Sequence, residues 1–123
     1  PGYNNSLGLV KFNFPNSHLV YLHDTNHRDY FVRNNRSLSS GCVRIENPLV
    51  LAKQILIKEN AKKWESAEID SIIKREKTKT VSVKDTVNIH IFYWTSWFEN
   101  NQLQFRDDIY NLDKELFEKL REN

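Results

Sequence analysis

The sequence predicts an α+β fold, mainly β with flanking helices, in which a mostly antiparallel sheet carries its helices on one side. Three observations predict it. Apolar–polar alternation marks residues 9–14 and 87–94, stripes of helical period lie between and after them, and Gly and Pro together make only 6 of 123 residues. That is about half their usual share, which favours long regular elements. At this length a single unit is expected, 1–123, able to bury roughly two-thirds of the surface its unfolded form exposes.

Within residues 9–14, Leu9, Lys11 and Asn13 fall on one face and Val10, Phe12 and Phe14 on the other, so a strand is expected, closed by a turn at Pro15-Asn16. Residues 19–22, Leu-Val-Tyr-Leu, are rich in strand formers and complete a hairpin with His23 at its exit. Residues 25–41 are mostly polar and read as a long loop, a length that in compact domains goes with function or disorder. Asn47-Pro48 supplies an N-cap and a first-turn proline for a helix carrying Leu49, Ala52, Ile55 and Leu56, ending near Lys58. Ala67, Ile69, Ile72 and Ile73 predict a second helix that runs into the basic stretch 74–79, read as a solvated helix end. Residues 81–83 and 87–94 are expected as two strands, the latter the clearest in the chain. Asn100-Asn101 reads as a turn, Gln102 to Phe105 as a short strand, and 112–120 as an amphipathic helix with Leu112, Leu116, Phe117 and Leu120 facing inward.

Composition narrows the function. Eighteen Lys and Arg balance sixteen Asp and Glu without clustering, so no nucleic-acid partner is expected. No apolar run approaches the roughly 18 residues of a membrane span. The chain has no Met and opens on Pro1-Gly2-Tyr3, so a piece of a longer protein is expected, with targeting signals upstream. One cysteine, Cys42, cannot form an internal disulfide and is either a small buried hydrophobe or a reactive thiol.

The stretch that carries chemistry is Leu22-His23-Asp24, followed 19 positions after His23 by Cys42 within Ser39-Ser40-Gly41-Cys42-Val43-Arg44. A free thiol is only a few per cent thiolate at neutral pH, and histidine is the usual base that takes its proton. The imidazole then needs a third group, a carboxylate or a backbone carbonyl, to fix its tautomer. Gly41 lets the backbone turn tightly and exposes amides near the sulfur, where they could face an oxyanion. Ser39 and Ser40 add hydroxyls, and Arg44 shares Cys42's face of an extended segment and could clamp a carboxylate. His18, His27 and His90 show no ligand spacing with Cys42, so no metal site is expected. Trp94, Trp97 and Phe98 suit either a sugar platform or core packing.

These motifs resemble the L,D-transpeptidases of the bacterial cell wall, the YkuD domain, whose signature is a histidine followed some fifteen residues later by Ser/Thr-His/Ser-Gly-Cys-Ile/Val-Arg. Here fifteen residues separate His23 from Ser39-Ser40-Gly41-Cys42-Val43-Arg44. The chain is most similar to the YcbB-like branch, through Asn4-Asn5-Ser6-Leu7-Gly8, Lys11-Phe12, Phe14-Pro15-Asn16, Tyr21 to Thr25, Arg36 to Arg44 and Phe105 to Tyr110. Many relatives carry His where this chain has Ser40.

The resemblance implies a YkuD-like β-sandwich or sheet fold whose N-terminal strands, and in this branch a substrate-capping segment, precede residue 1, the chain being the C-terminal part of one catalytic domain. It implies that Cys42 forms a thioester with a tetrapeptide stem of peptidoglycan, releases D-Ala, and passes the acyl group to a second stem as a 3-3 cross-link. His23 would be the base, oriented by the backbone carbonyl of Asp24 rather than by its carboxylate. Gly41 and Cys42 amides would form the oxyanion hole, and Tyr21, Ser39, Ser40 and Arg44 would line the substrate cleft. No metal or cofactor is implied. The expected setting is the periplasm or cell envelope, with a membrane anchor or peptidoglycan-binding module upstream, and carbapenems commonly acylate the family. A carboxypeptidase or endopeptidase, an enzyme linking protein to peptidoglycan, and a non-catalytic peptidoglycan-binding fragment share the same residues.

Overall fold

A computed structural model describes residues 2–121 and divides into two compact units, one up to Thr86 and one from Val87. In the first, β1 (Lys11–Phe12), β2 (Leu22–His23) and β3 (Val43–Arg44) form a sheet in that order. β1 and β2 are antiparallel, with Lys11 opposite His23 and Phe12 opposite Leu22. The hairpin expected over 9–22 is present, but its ladder stops early for a local reason. The Asn16 side chain donates to the carbonyls of Phe14 and Val20 and accepts from the amides of His18 and Val20, so it takes up backbone groups that would otherwise pair across the hairpin.

β3 pairs with β2 in parallel, Leu22 opposite Val43 and His23 opposite Arg44, after a crossover that includes a 3₁₀ turn at Arg28–Val32. The remaining sheet pairings are antiparallel. Helices α1 (Pro48–Glu59) and α2 (Ser66–Lys74) follow where the periodicity places them. Pro48 occupies the first turn of α1, while Asn47 caps it by position without a side-chain bond. Trp64, just ahead of α2, and Ile69 within it are buried, and Lys53 of α1 bonds Asp70 of α2 at 2.6 Å. Lys63 and Lys79 lie 5.2 and 5.5 Å from the Trp64 ring centroid, so the last residue of the basic stretch packs on an aromatic rather than standing wholly in solvent.

In the second unit, β4 (Ser96–Glu99) and β5 (Gln102–Phe105) make a hairpin across Asn100-Asn101. Both asparagines have positive φ, 50° and 62°, as a two-residue turn with the right-handed twist requires. Helix α3 (Asp113–Arg121) closes the unit. Three expectations are corrected here. Residues 81–83 and 87–94 are not strands. The His90 and Phe92 rings do stack with centroids 6.1 Å apart, and Trp94 lies tilted 6.2 Å from Phe92, as alternate side chains on an extended chain do, but alternation specifies a pleat and not a partner for it. Leu112, Leu116, Phe117 and Leu120 are exposed rather than inward, because among the described residues no element covers that face of α3. β4 had no clear alternation to announce it.

Candidate active site

The parallel register of β2 and β3 assembles the site. Val43 N–H donates to the Tyr21 carbonyl at 3.1 Å and Ile45 N–H to that of His23 at 2.8 Å. Side chains alternate along each strand, so Tyr21 and His23 share a face with Cys42 and Arg44. On that face the register sets Tyr21 beside Cys42, and hydrogen bonding with the thiol first, the charge of the sulfur second and burial third push the phenol above its ordinary pKa, so it keeps its proton. The Tyr21 and His23 rings lie 5.5 Å apart.

His23 is buried, and its Nδ1 hydrogen-bonds the backbone carbonyl of Asp24. A carbonyl can only accept, so Nδ1 carries the proton and Nε2 keeps a free lone pair, the form a general base needs. The Asp24 carboxylate is occupied elsewhere. It is 1% exposed, accepts from the amides of Leu9 and Thr25 at 2.8 Å each, and meets Arg28 at 2.7 Å. Arg28 also donates to the Glu46 carbonyl at 2.9 Å, tying the exit of β2 to the exit of β3. Gly8, at φ +57°, lies so close to this carboxyl group that a Cβ there would overlap it. Thr25 is 2% exposed and its hydroxyl accepts from the His27 amide.

Cys42 is half-buried at the end of a polar turn. Ser39 donates to the Cys42 carbonyl at 2.6 Å, which closes the turn, and Ser40 is exposed beside it. Gly41 adopts φ +145°, and a Cβ there would press on Val20 at 3.3 Å, so glycine is needed for the backbone to deliver Cys42 to the sheet. Arg44 donates to the Leu38 carbonyl at 3.2 Å, while its buried Nε has no partner among the described residues. A cavity of about 240 Å³ opens beside it, lined by Tyr30, Phe31, Arg36, Leu38, Val43 and Arg44. No three His, Cys, Asp or Glu side chains converge as a cation site among the described residues.

Among known proteins, the family model for the L,D-transpeptidase catalytic domain, YkuD, matches residues 1–89. The chain belongs to the YkuD family. Within it, the chain is 39% identical over 111 residues to a Haemophilus influenzae protein provisionally named as an L,D-transpeptidase. The match covers 90% of this chain and 22% of that relative, so the chain spans about a fifth of the relative's length. The YkuD match takes in β1 to β3, α1 and α2 and stops short of β4, β5 and α3.

Sequence reasoning brought Tyr21, His23, Cys42, Ser39 and Arg44 together and the structure places them on adjoining strands and their turn. It did not find Arg28, Gly8 or Lys11. Arg28 stands four residues after Asp24, a spacing that pairs charges on a helical turn, and this was the available signal. Lys11 stands opposite His23, with its ammonium 3.7 Å from the Tyr21 ring centroid.

Proposed function

We propose that this YkuD domain is a cysteine acyltransferase acting on peptidoglycan stem peptides, nearest the YcbB-like branch and working in the periplasm or cell envelope where that polymer lies. The observation that carries the reading is the parallel β2–β3 register, which sets a carbonyl-oriented histidine and a tyrosine donor on the same face as the chain's cysteine. His23 Nε2 takes the thiol proton as Cys42 sulfur bonds to the carbonyl carbon preceding the terminal D-Ala of a tetrapeptide stem. The Gly41 and Cys42 amides, which precede the first ladder-bonded amide at Val43, receive the oxyanion. On collapse the C–N bond breaks and His23 returns the proton to the departing D-Ala amine. The amine of a second stem then attacks the thioester, gives its proton to His23, and leaves a 3-3 cross-link with the thiol restored. Ser39 holds the nucleophile's turn, Ser40 and Tyr21 flank the scissile bond, and the unpartnered Arg44 Nε is a donor that a substrate carboxylate would satisfy.

Exposure to a carbapenem followed by intact-protein mass spectrometry tests the first half-reaction. One covalent adduct is expected, absent in Cys42→Ala and formed on the order of a hundredfold more slowly in His23→Ala. Incubation with a stem tetrapeptide tests the second. A cross-linked dimer lacking one D-Ala supports transpeptidation, tripeptide alone reassigns the chain to hydrolysis, and stem binding without turnover or adduct makes it a binding module.

A further inference from the structure

We propose that Lys11 is a positioning residue for the cysteine chemistry, acting through Tyr21 rather than on the sulfur itself. The inference rests on the proposed role of Cys42 and deepens it. Lys11 is in β1, the strand on the far side of β2 from the cysteine, and its direct cross-strand partner is His23. A long side chain at that position can reach the diagonal neighbour, and the ammonium of Lys11 lies over the ring of Tyr21 at 3.7 Å from its centroid. Tyr21 immediately precedes β2, and the β2–β3 register brings it level with Cys42, whose thiol raises the phenol's pKa.

Two consequences follow from elementary chemistry. A cation on the π face is held by the ring quadrupole, which fixes where the phenol stands. It also draws electron density from the ring, making the hydroxyl a stronger donor to a sulfur that gains negative charge. Lys11, Tyr21 and Cys42 thus form a relay from β1 to the residues that lead into β2 and β3. The charged and titratable groups on this face are Lys11 from β1, Tyr21 just before β2, His23 from β2, and Arg44 from β3, with Cys42 just before β3. The Asp24 carboxylate, engaged with Leu9, Thr25 and Arg28, gives Lys11 no competing partner. Lys11 is itself exposed, so its replacement leaves no buried gap.

The rate of Cys42 alkylation by iodoacetamide at pH 7, read by intact mass on the full chain, tests the relay. Lys11→Met should slow alkylation about three- to tenfold, as loss of a cation–π contact of ordinary strength implies. Lys11→Arg should restore the rate to within about twofold, since a guanidinium stacks on the same ring. In a Tyr21→Phe background, Lys11→Met should add nothing further, because the hydroxyl it acts through is gone. A Lys11→Met rate matching the unaltered chain, a Lys11→Arg rate as slow as Lys11→Met, or losses that multiply in the double variant would each overturn the proposal. If the unaltered chain reacts no faster than glutathione, the nucleophile reading goes down as well. A fast unaltered chain with an indifferent Lys11→Met sinks the relay alone.

Discussion

The neighbourhood of His23 and the unit from Val87 onward are built on opposite terms. Around His23 the most deeply buried residues are polar: Asp24 and Thr25 are 1% and 2% exposed, and every oxygen of the Asp24 carboxylate has a donor. From Val87 onward the chain is rich in aromatics and leucines, yet Trp94 and Phe98 are 63% and 69% exposed. The contrast teaches that burial here follows hydrogen-bond completion and not apolar content. A carboxylate with three donors, one of them an arginine, is stable inside a protein, because each lone pair lost to water is replaced. An apolar stripe with nothing against it gains none of the stabilisation its composition offers.

Breaking the polar knot should produce the largest effect. Gly8→Ala forces an L side chain to φ +57° and drives its Cβ into the Asp24 carboxyl, unseating the acceptor of two amides and Arg28. A loss of about 3 kcal/mol is expected, from a strained backbone and stranded donors together. The urea midpoint followed by far-UV circular dichroism reads it. A midpoint within experimental scatter of the unaltered chain would mean that the carboxylate is not the fastening point.

An intermediate effect tests whether the second unit has any hydrogen-bonded fastening of its own. The Asp113 amide donates to Asp108 at 2.8 Å and, ahead of smaller contributions from nearby amides, holds the Asp108 carboxyl below its usual range. Its folded-state pKa is thus depressed, so the benefit to α3 is in place at neutral pH and disappears as pH falls through the lowered value. Helical signal from α3 should fade on acidification, and Asp108→Asn should flatten that dependence. The bond from Lys119 to Glu115, at 2.6 Å, lowers the Glu115 pKa in the same direction and should leave a residual slope. The smallest effect is expected at Phe98. Phe98→Ser should change stability by no more than about 0.5 kcal/mol, since so exposed a ring has little burial to lose. A larger loss would show that the aromatic face is covered in solution, and would narrow the contrast between the two regions.

Much of the site was legible because its residues are defined by chain-local chemistry. His23 at a strand exit, a polar loop, and Gly41 ahead of Cys42 all announce themselves within a short window. The YkuD match over residues 1–89 bears out the family resemblance drawn from those same motifs. Helices α1 and α2 were readable from their stripes and from Pro48. What escaped is what depends on long-range pairing. The alternation at 87–94 is real, but among the described residues no partner strand meets it, and the stripe on α3 names a face without naming its cover. Arg28 and Gly8 matter because folding delivers both to Asp24; Arg28 lies outside the motifs that carry the family resemblance, and Gly8 ends one of them without its role being named there. Lys11 reads as an outward strand residue until the register sets it over a ring two positions from its partner.

The anchor behind the imidazole of His23 is main chain. Peptide carbonyls take up no proton between mildly acidic and alkaline conditions, and every amino acid supplies one. No point substitution at position 24 can therefore delete the atom that aims the ring. Such a change can only shift where the backbone runs, so damage at that position should show first as lost folding, with the ring's aim preserved in whatever fraction still folds.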